Sequence, residues 1–207
     1  MTVALILVRC LHLSASILLA SLFLFETVIV VPAARKTSAG SEQLLEATHR
    51  LTDRTALWTL LVAFVSWFAW SWLVASTMTG DDLIECFQSG DWLTVLTGTQ
   101  FGLIWLFRVI ISLVFGILWV VAWTSGRRNL LQTTLIGLAV IDLVSLAWAG
   151  HATATPGPFG DVHLLGDALH LLTAALWPGA LVPLAGFLLS VVKIKPIRGD
   201  RAGAGGS

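Results

Sequence analysis

Five stretches of this chain are long and apolar enough to cross a lipid bilayer: Val3 to Val31, Thr55 to Thr77, Phe101 to Trp123, Leu130 to Ala149, and His163 to Val192. A spanning helix needs about 20 mostly apolar residues, and a helix satisfies its own backbone polar groups where no water can. The chain therefore reads as all-α, a polytopic membrane helix bundle over residues 1–198. The first and last stretches exceed what the hydrocarbon core requires, which predicts tilt or projection beyond it. Breakers separate the stretches: Pro32, Gly80, Gly90, Gly126, Pro156, Pro158 and Pro196. Only 12% of the 207 residues are charged and 57% are hydrophobic, so a water-facing shell is missing and lipid must replace it. The formal net charge of zero argues against nucleic acid as a partner. The opening run has no preceding basic region and no small-residue cleavage site close behind it, so it reads as an uncleaved first helix. The Gly/Ala/Ser-rich tail, residues 199–207, is expected to be disordered.

Basic residues near helix ends set orientation, because cytoplasmic loops retain them. Arg35, Lys36, Arg50 and Arg54 follow the first stretch, Arg127 and Arg128 follow the third, and Lys193, Lys195, Arg198 and Arg201 follow the fifth. The second connection has Asp81, Asp82, Glu85 and Asp91 without Lys or Arg, and the fourth has His151 and Asp161. The alternation predicts an outside N-terminus and a cytoplasmic C-terminus. Leu44, Leu45, Ala47 and Leu51 within SEQLLEATHRLT have helical spacing, which predicts an interfacial helix on the cytoplasmic side. Ten Trp and no Tyr fit interfacial belts and packing more simply than a cofactor role.

Ionisable side chains inside spans are costly and mark functional positions. Counting at about 1.5 Å per residue from the outer ends puts Arg9 and His12 some 9 to 14 Å deep, and Arg108 and Asp142 about 10 Å deep. Asp167 and His170 come out at about 6 and 10 Å. These positions share one layer in the outer third, with Glu26 apart near the inner side. Equal depth on consecutive spans predicts that Arg108 and Asp142 form a buried ion pair. His163, Asp167 and His170 fall at i, i+4 and i+7, one helical face, and His151 lies in the loop just before. Imidazole is the commonest ligand for copper and zinc, and Asp167 or Asp161 can orient it from behind. Asp81, Asp82 and Glu85 with Met78 and Cys86 would attract cations and offer soft ligands at the same end. His49 reads as solvated, and Cys10 as a small packing residue with copper ligation as the alternative. No nucleophile elbow, phosphate-binding glycine loop or HExxH motif occurs, so hydrolytic or phosphoryl-transfer chemistry is not expected.

The segment GHATATPGPFGDVHLLGDALHLLTAALWPGALVPL, Gly150 to Leu184, resembles the CopD family of bacterial copper-resistance membrane proteins, whose pattern is GHA followed by H-L-x-A-D-x-L-H-L-L. VRCLHLSASILLASLFLFE and VLTGTQFGLIWLFR resemble that family's first helix and the Phe-Gly entrance to a later one. The resemblance implies copper handling at the inner membrane from the periplasmic side, often with a periplasmic copper-binding CopC partner. It marks His151, His163, Asp167 and His170, together with His12. It also implies about three further helices, so this chain reads as a shortened relative, and Pro178-Gly179-Ala180 stands where the family has Gly-Gly. Two rival readings remain. In the first, His12 and His170 ligate a b-type haem whose propionates meet Arg9 or Arg108. In the second, the chain is a structural subunit of a larger membrane complex and its histidines only pack; assembly as a homo-oligomer is compatible with each reading.

Overall fold

The computed structural model describes residues 2–36, 41–149 and 158–194, and every regular element among them is helical. Five helical segments are long and apolar enough to cross a membrane: Val3–Lys36, Glu42–Thr79, Gln100–Ser125, Arg128–Ala149 and Phe159–Leu189. The first comprises α1 (Thr2–Phe25), a π-helical turn at Glu26–Val30 and α2 (Val31–Lys36). The second is α3 (Ser41–Thr79), the third α6 (Gln100–Ser125), and the fourth α7 (Arg128–Ser145) with a 3-10 turn at Leu146–Ala149. α1 is the central element, with α3, α7, α8 (Pro158–Leu176) and α9 (Leu181–Ile194) all packed on it. The chain is a membrane helix bundle.

Three features depart from the expected layout. The amphipathic stretch before the second span is not a separate interfacial helix. It continues into α3, whose 39 residues contain neither Gly nor Pro to stop the helix. At about 58 Å, α3 far exceeds a hydrocarbon core of about 30 Å and projects beyond it.

The acidic second connection is also ordered, as α4 (Leu83–Gln88) and α5 (Asp91–Gly98). The Asp82 carboxylate caps α4 by accepting from Ile84 N and Glu85 N, each at 2.9 Å. Gly90, at φ +83°, makes the turn into α5. Trp72 Nε1 donates to the Leu83 carbonyl at 2.9 Å, and Trp92 Nε1 to Ser71 Oγ at 3.1 Å, fastening this cap to α3. Cys86 is fully buried against Ala75 and Val95, and burial pushes its thiol pKa up. It is a packing residue, so of the two soft ligands expected at this end Cys86 is withdrawn from the surface while Met78 is exposed. Gly102 closes the corner from α5 into α6. A Cβ there would lie 2.2 Å from the Leu96 carbonyl oxygen, while Gly102 N donates to the capping Thr99 Oγ1 at 3.0 Å.

The fifth crossing breaks at Pro178. Proline has no N–H to donate into the preceding turn, and Gly179 N reaches the Ala174 carbonyl instead, at 2.9 Å. The Ala175 carbonyl, left without its usual helical donor, accepts from Ser21 Oγ on α1 at 2.8 Å. That contact needs a glycine next door, because a Cβ on residue 179 would sit 2.1 Å from Ser21 Oγ.

Between helices in lipid there is little hydrophobic drive, so close packing and polar contacts must hold them. Phe23 of α1 meets Phe115 of α6 edge to face at 5.1 Å, both essentially buried, amid Leu19, Leu22, Leu135 and Leu143. Such a pair contributes about 0.5–1.5 kcal/mol beyond area burial. This apolar belt lies between two polar layers.

Candidate functional site

The first layer is built around Arg108, which α6 carries into the bundle at 1% exposure. Its Nη2 donates to His12 Nε2 at 3.0 Å, to Ser16 Oγ at 3.2 Å and to Asp142 Oδ2 at 3.3 Å. Its Nη1 donates to Ser145 Oγ at 2.6 Å and to the Asp142 carbonyl oxygen. Ser112 Oγ donates to Asp142 Oδ1 at 3.4 Å. The guanidinium also stands 5.6 Å from the Trp105 ring centre. Arg108 and Asp142 thus meet within one network that also takes in His12.

The state of His12 follows from its neighbours. Arginine can only donate, so Nε2 accepts and the proton sits on Nδ1, facing Ser66 Oγ at 3.0 Å and the Ala63 carbonyl at 3.2 Å. The ring lies 5.6 Å from both Trp70 and Trp105. The cavity beside it, lined by Ala63, Phe64, Trp67, Arg108 and Asp142, is about 10 Å³, roughly one water's space. The haem reading is therefore not favoured: both His12 nitrogens are engaged, and among the described residues the space beside the ring is far too small for a macrocycle. Arg9, the other residue considered for propionates, lies over Trp70 at 5.2 Å.

The second layer surrounds Glu26, at 1% exposure and about 21 Å along the first crossing from His12. Arg128 grips it with two bonds, Nε to Oε1 at 2.9 Å and Nη2 to Oε2 at 2.6 Å. Arg128 Nη1 also donates to Asp53 Oδ1 at 2.6 Å, and Trp119 Nε1 donates to the same oxygen at 2.9 Å. Gln132 Nε2 bridges Thr27 Oγ1 at 2.8 Å and Glu26 Oε1 at 3.3 Å. His49 is not a solvated bystander, since its Nε2 is 3.4 Å from Glu26 Oε1. Sequence reasoning set Glu26 apart and missed its partners. The available signal was the presence of Asp53, Arg128 and Gln132 at the same end of two other crossings.

The α8 histidines lie elsewhere. Asp161, His163, Asp167 and His170 are all exposed on the bundle surface, beside exposed Leu165 and Leu169. His163 and His170 are about 10 Å apart along the axis, too far to share one ion, but each neighbours Asp167 within one turn. The helix alone thus offers two incomplete half-sites with a common carboxylate. Buried His12 faces α3 and Arg108 and does not meet this stripe. His151 lies outside the described residues. Among those described, no three His, Cys, Asp or Glu side chains converge as a metal site.

Residues 1–161 match the family profile described as copper resistance protein D-like, N-terminal domain. The match includes His12, Arg108 and Asp142 and stops short of His163. The chain is 33% identical over 134 residues to Inner membrane protein YebZ of Escherichia coli (strain K12), an alignment covering 65% of this chain and 42% of that protein. It is 31% identical over 138 residues to Copper resistance protein D of Pseudomonas syringae pv. tomato, covering 65% of this chain and 41% of that one. The chain thus spans about two fifths of the length of these curated relatives. No solved structure matches it. With its first 161 residues on the profile and a helical membrane bundle as its fold, the chain belongs to the copper resistance protein D-like family.

Proposed function

We propose that this chain handles copper at the bacterial inner membrane, receiving the ion on the side opposite the basic loops, with the α8 stripe as its contact. The observation that carries this reading is the stripe itself: two imidazoles and a carboxylate on one face of a membrane helix, exposed among leucines. Polar groups so placed are costly in lipid unless they have a task or a partner. Imidazole suits copper, and Asp167 stands within a turn of both histidines. The copper in the name of one relative and the inner membrane in the name of the other support the same reading.

Each half-site needs ligands from elsewhere. His151, just before α8, is one source. A second chain is the other, either another copy or a periplasmic copper-binding protein of the CopC kind. His12 is the candidate for a deeper station, reached when its Nε2 exchanges Arg108 for the ion.

Metal analysis of the purified protein loaded with copper tests this. His170→Ala and His163→Ala are each expected to lose the ion from their half-site, and Asp167→Asn to weaken binding by about 10- to 100-fold. Unchanged copper content in all three variants would refute the stripe as the site. His12→Asn divides the remaining possibilities, since copper lost there places His12 in the path, and copper retained leaves it as Arg108's partner. The orientation has its own check. A cysteine introduced at Gly126 should resist impermeant labelling from the periplasmic side, and ready labelling would invert the assignment.

A further inference from the structure

An open groove of about 540 Å³ runs between α1 and α3, walled by Leu11, Ser14, Leu18, Trp58 and Val62, with Arg54 near one end. That volume is in the range of ligand-holding clefts. From Arg54 to Val62 its α3 lining rises about 12 Å, most of the half-thickness of a hydrocarbon core of about 30 Å. The groove is therefore one leaflet deep.

Arg54 stands near its end on the side of the basic loops. It is the last charged residue before the charge-free, mostly apolar run Thr55 to Thr79, which places it at the headgroup level. It is exposed and makes no hydrogen bond or ion pair among the described residues, whereas Arg50 holds Glu46 at 2.5 Å and Arg128 holds Glu26. Trp58, four residues on and on the same face, is 62% exposed, the position of an interfacial tryptophan. A guanidinium so placed, at the headgroup end of an apolar, leaflet-deep groove, is the complement of a phosphate that carries an acyl chain.

We propose that this groove binds one anionic phospholipid from the leaflet next to the basic loops, its phosphate on Arg54 and an acyl chain lying past Trp58 and Leu18 toward Leu11. The site is independent of the copper reading and uses none of its residues. A neutral lipid would fill the groove without using the guanidinium, so headgroup charge is the selective element.

Native mass spectrometry of the full chain, released from mixed vesicles of phosphatidylglycerol and phosphatidylcholine, tests it. The expected result is one phosphatidylglycerol retained in preference to phosphatidylcholine. Arg54→Ala should lower that retention about 5-fold, the equivalent of one cationic contact with an anionic lipid. Arg50→Ala should leave it unchanged. Ser14→Phe, which fills the groove from an exposed position, should lose the lipid with Arg54 intact. Thermal unfolding in lipid-free detergent confirms that each variant is folded. Equal retention of both lipids, retention unaltered by Arg54→Ala, or a second copy of the chain in place of lipid would each overturn the proposal.

Discussion

Replacing Asp142 with alanine is expected to destabilise the protein by about 3 to 5 kcal/mol, with Arg108→Ala of similar size. Arg108 is at 1% exposure, and only the Asp142 carboxylate among its hydrogen-bond partners can carry a compensating negative charge. Without Asp142 the guanidinium keeps neutral acceptors and remains an uncompensated charge in a low-dielectric interior. Without Arg108, Asp142 keeps its bond from Ser112 while His12 Nε2 loses its donor. The double variant should cost less than the two singles together, because the residues form one interacting pair. Thermal unfolding of all three in the same detergent is the measurement. Single variants that unfold at the wild-type temperature would show that the pair does not hold the bundle together.

Arg128→Ala should have an effect of the same order at the other layer, about 3 to 5 kcal/mol. One guanidinium there serves two carboxylates on two other crossings, Glu26 on the first and Asp53 on α3. Its removal leaves Glu26, at 1% exposure, with the amide of Gln132 and the ring of His49 as its remaining contacts. Arg128→Lys separates charge from geometry. Lysine restores a cation but not the two parallel bonds to Glu26, so stability should recover only in part. Full recovery would mean that charge alone matters. No loss in the alanine variant would mean that Gln132, Trp119 and His49 suffice to hold the two acids.

These two layers show why ionisable residues are legible in the sequence while their partnerships are only partly so. A charge inside an apolar run is visible in one dimension, and depth along a helix can be counted, so residue order alone sets Arg108 and Asp142 at one level. Rotation about the helix axis cannot be counted in the same way, because it depends on which neighbour each face packs against. Counting likewise gives His12 and His170 comparable depths. In the fold His12 turns inward to Ser66 and Arg108, while His163, Asp167 and His170 turn outward.

The sequence by itself determined the membrane class, the five apolar segments, the family resemblance and the shared face of the α8 stripe. Each of these follows from residue order along one helix, through length, hydropathy or the 3.6-residue period. The tertiary structure alone decided that Cys86 is sealed inside the acidic cap, that Ser21 supports the break at Pro178, and that Arg128 joins Glu26 to Asp53. Those contacts join residues far apart in the chain, and only the packing of one helix against another selects which of the possible partners actually meet.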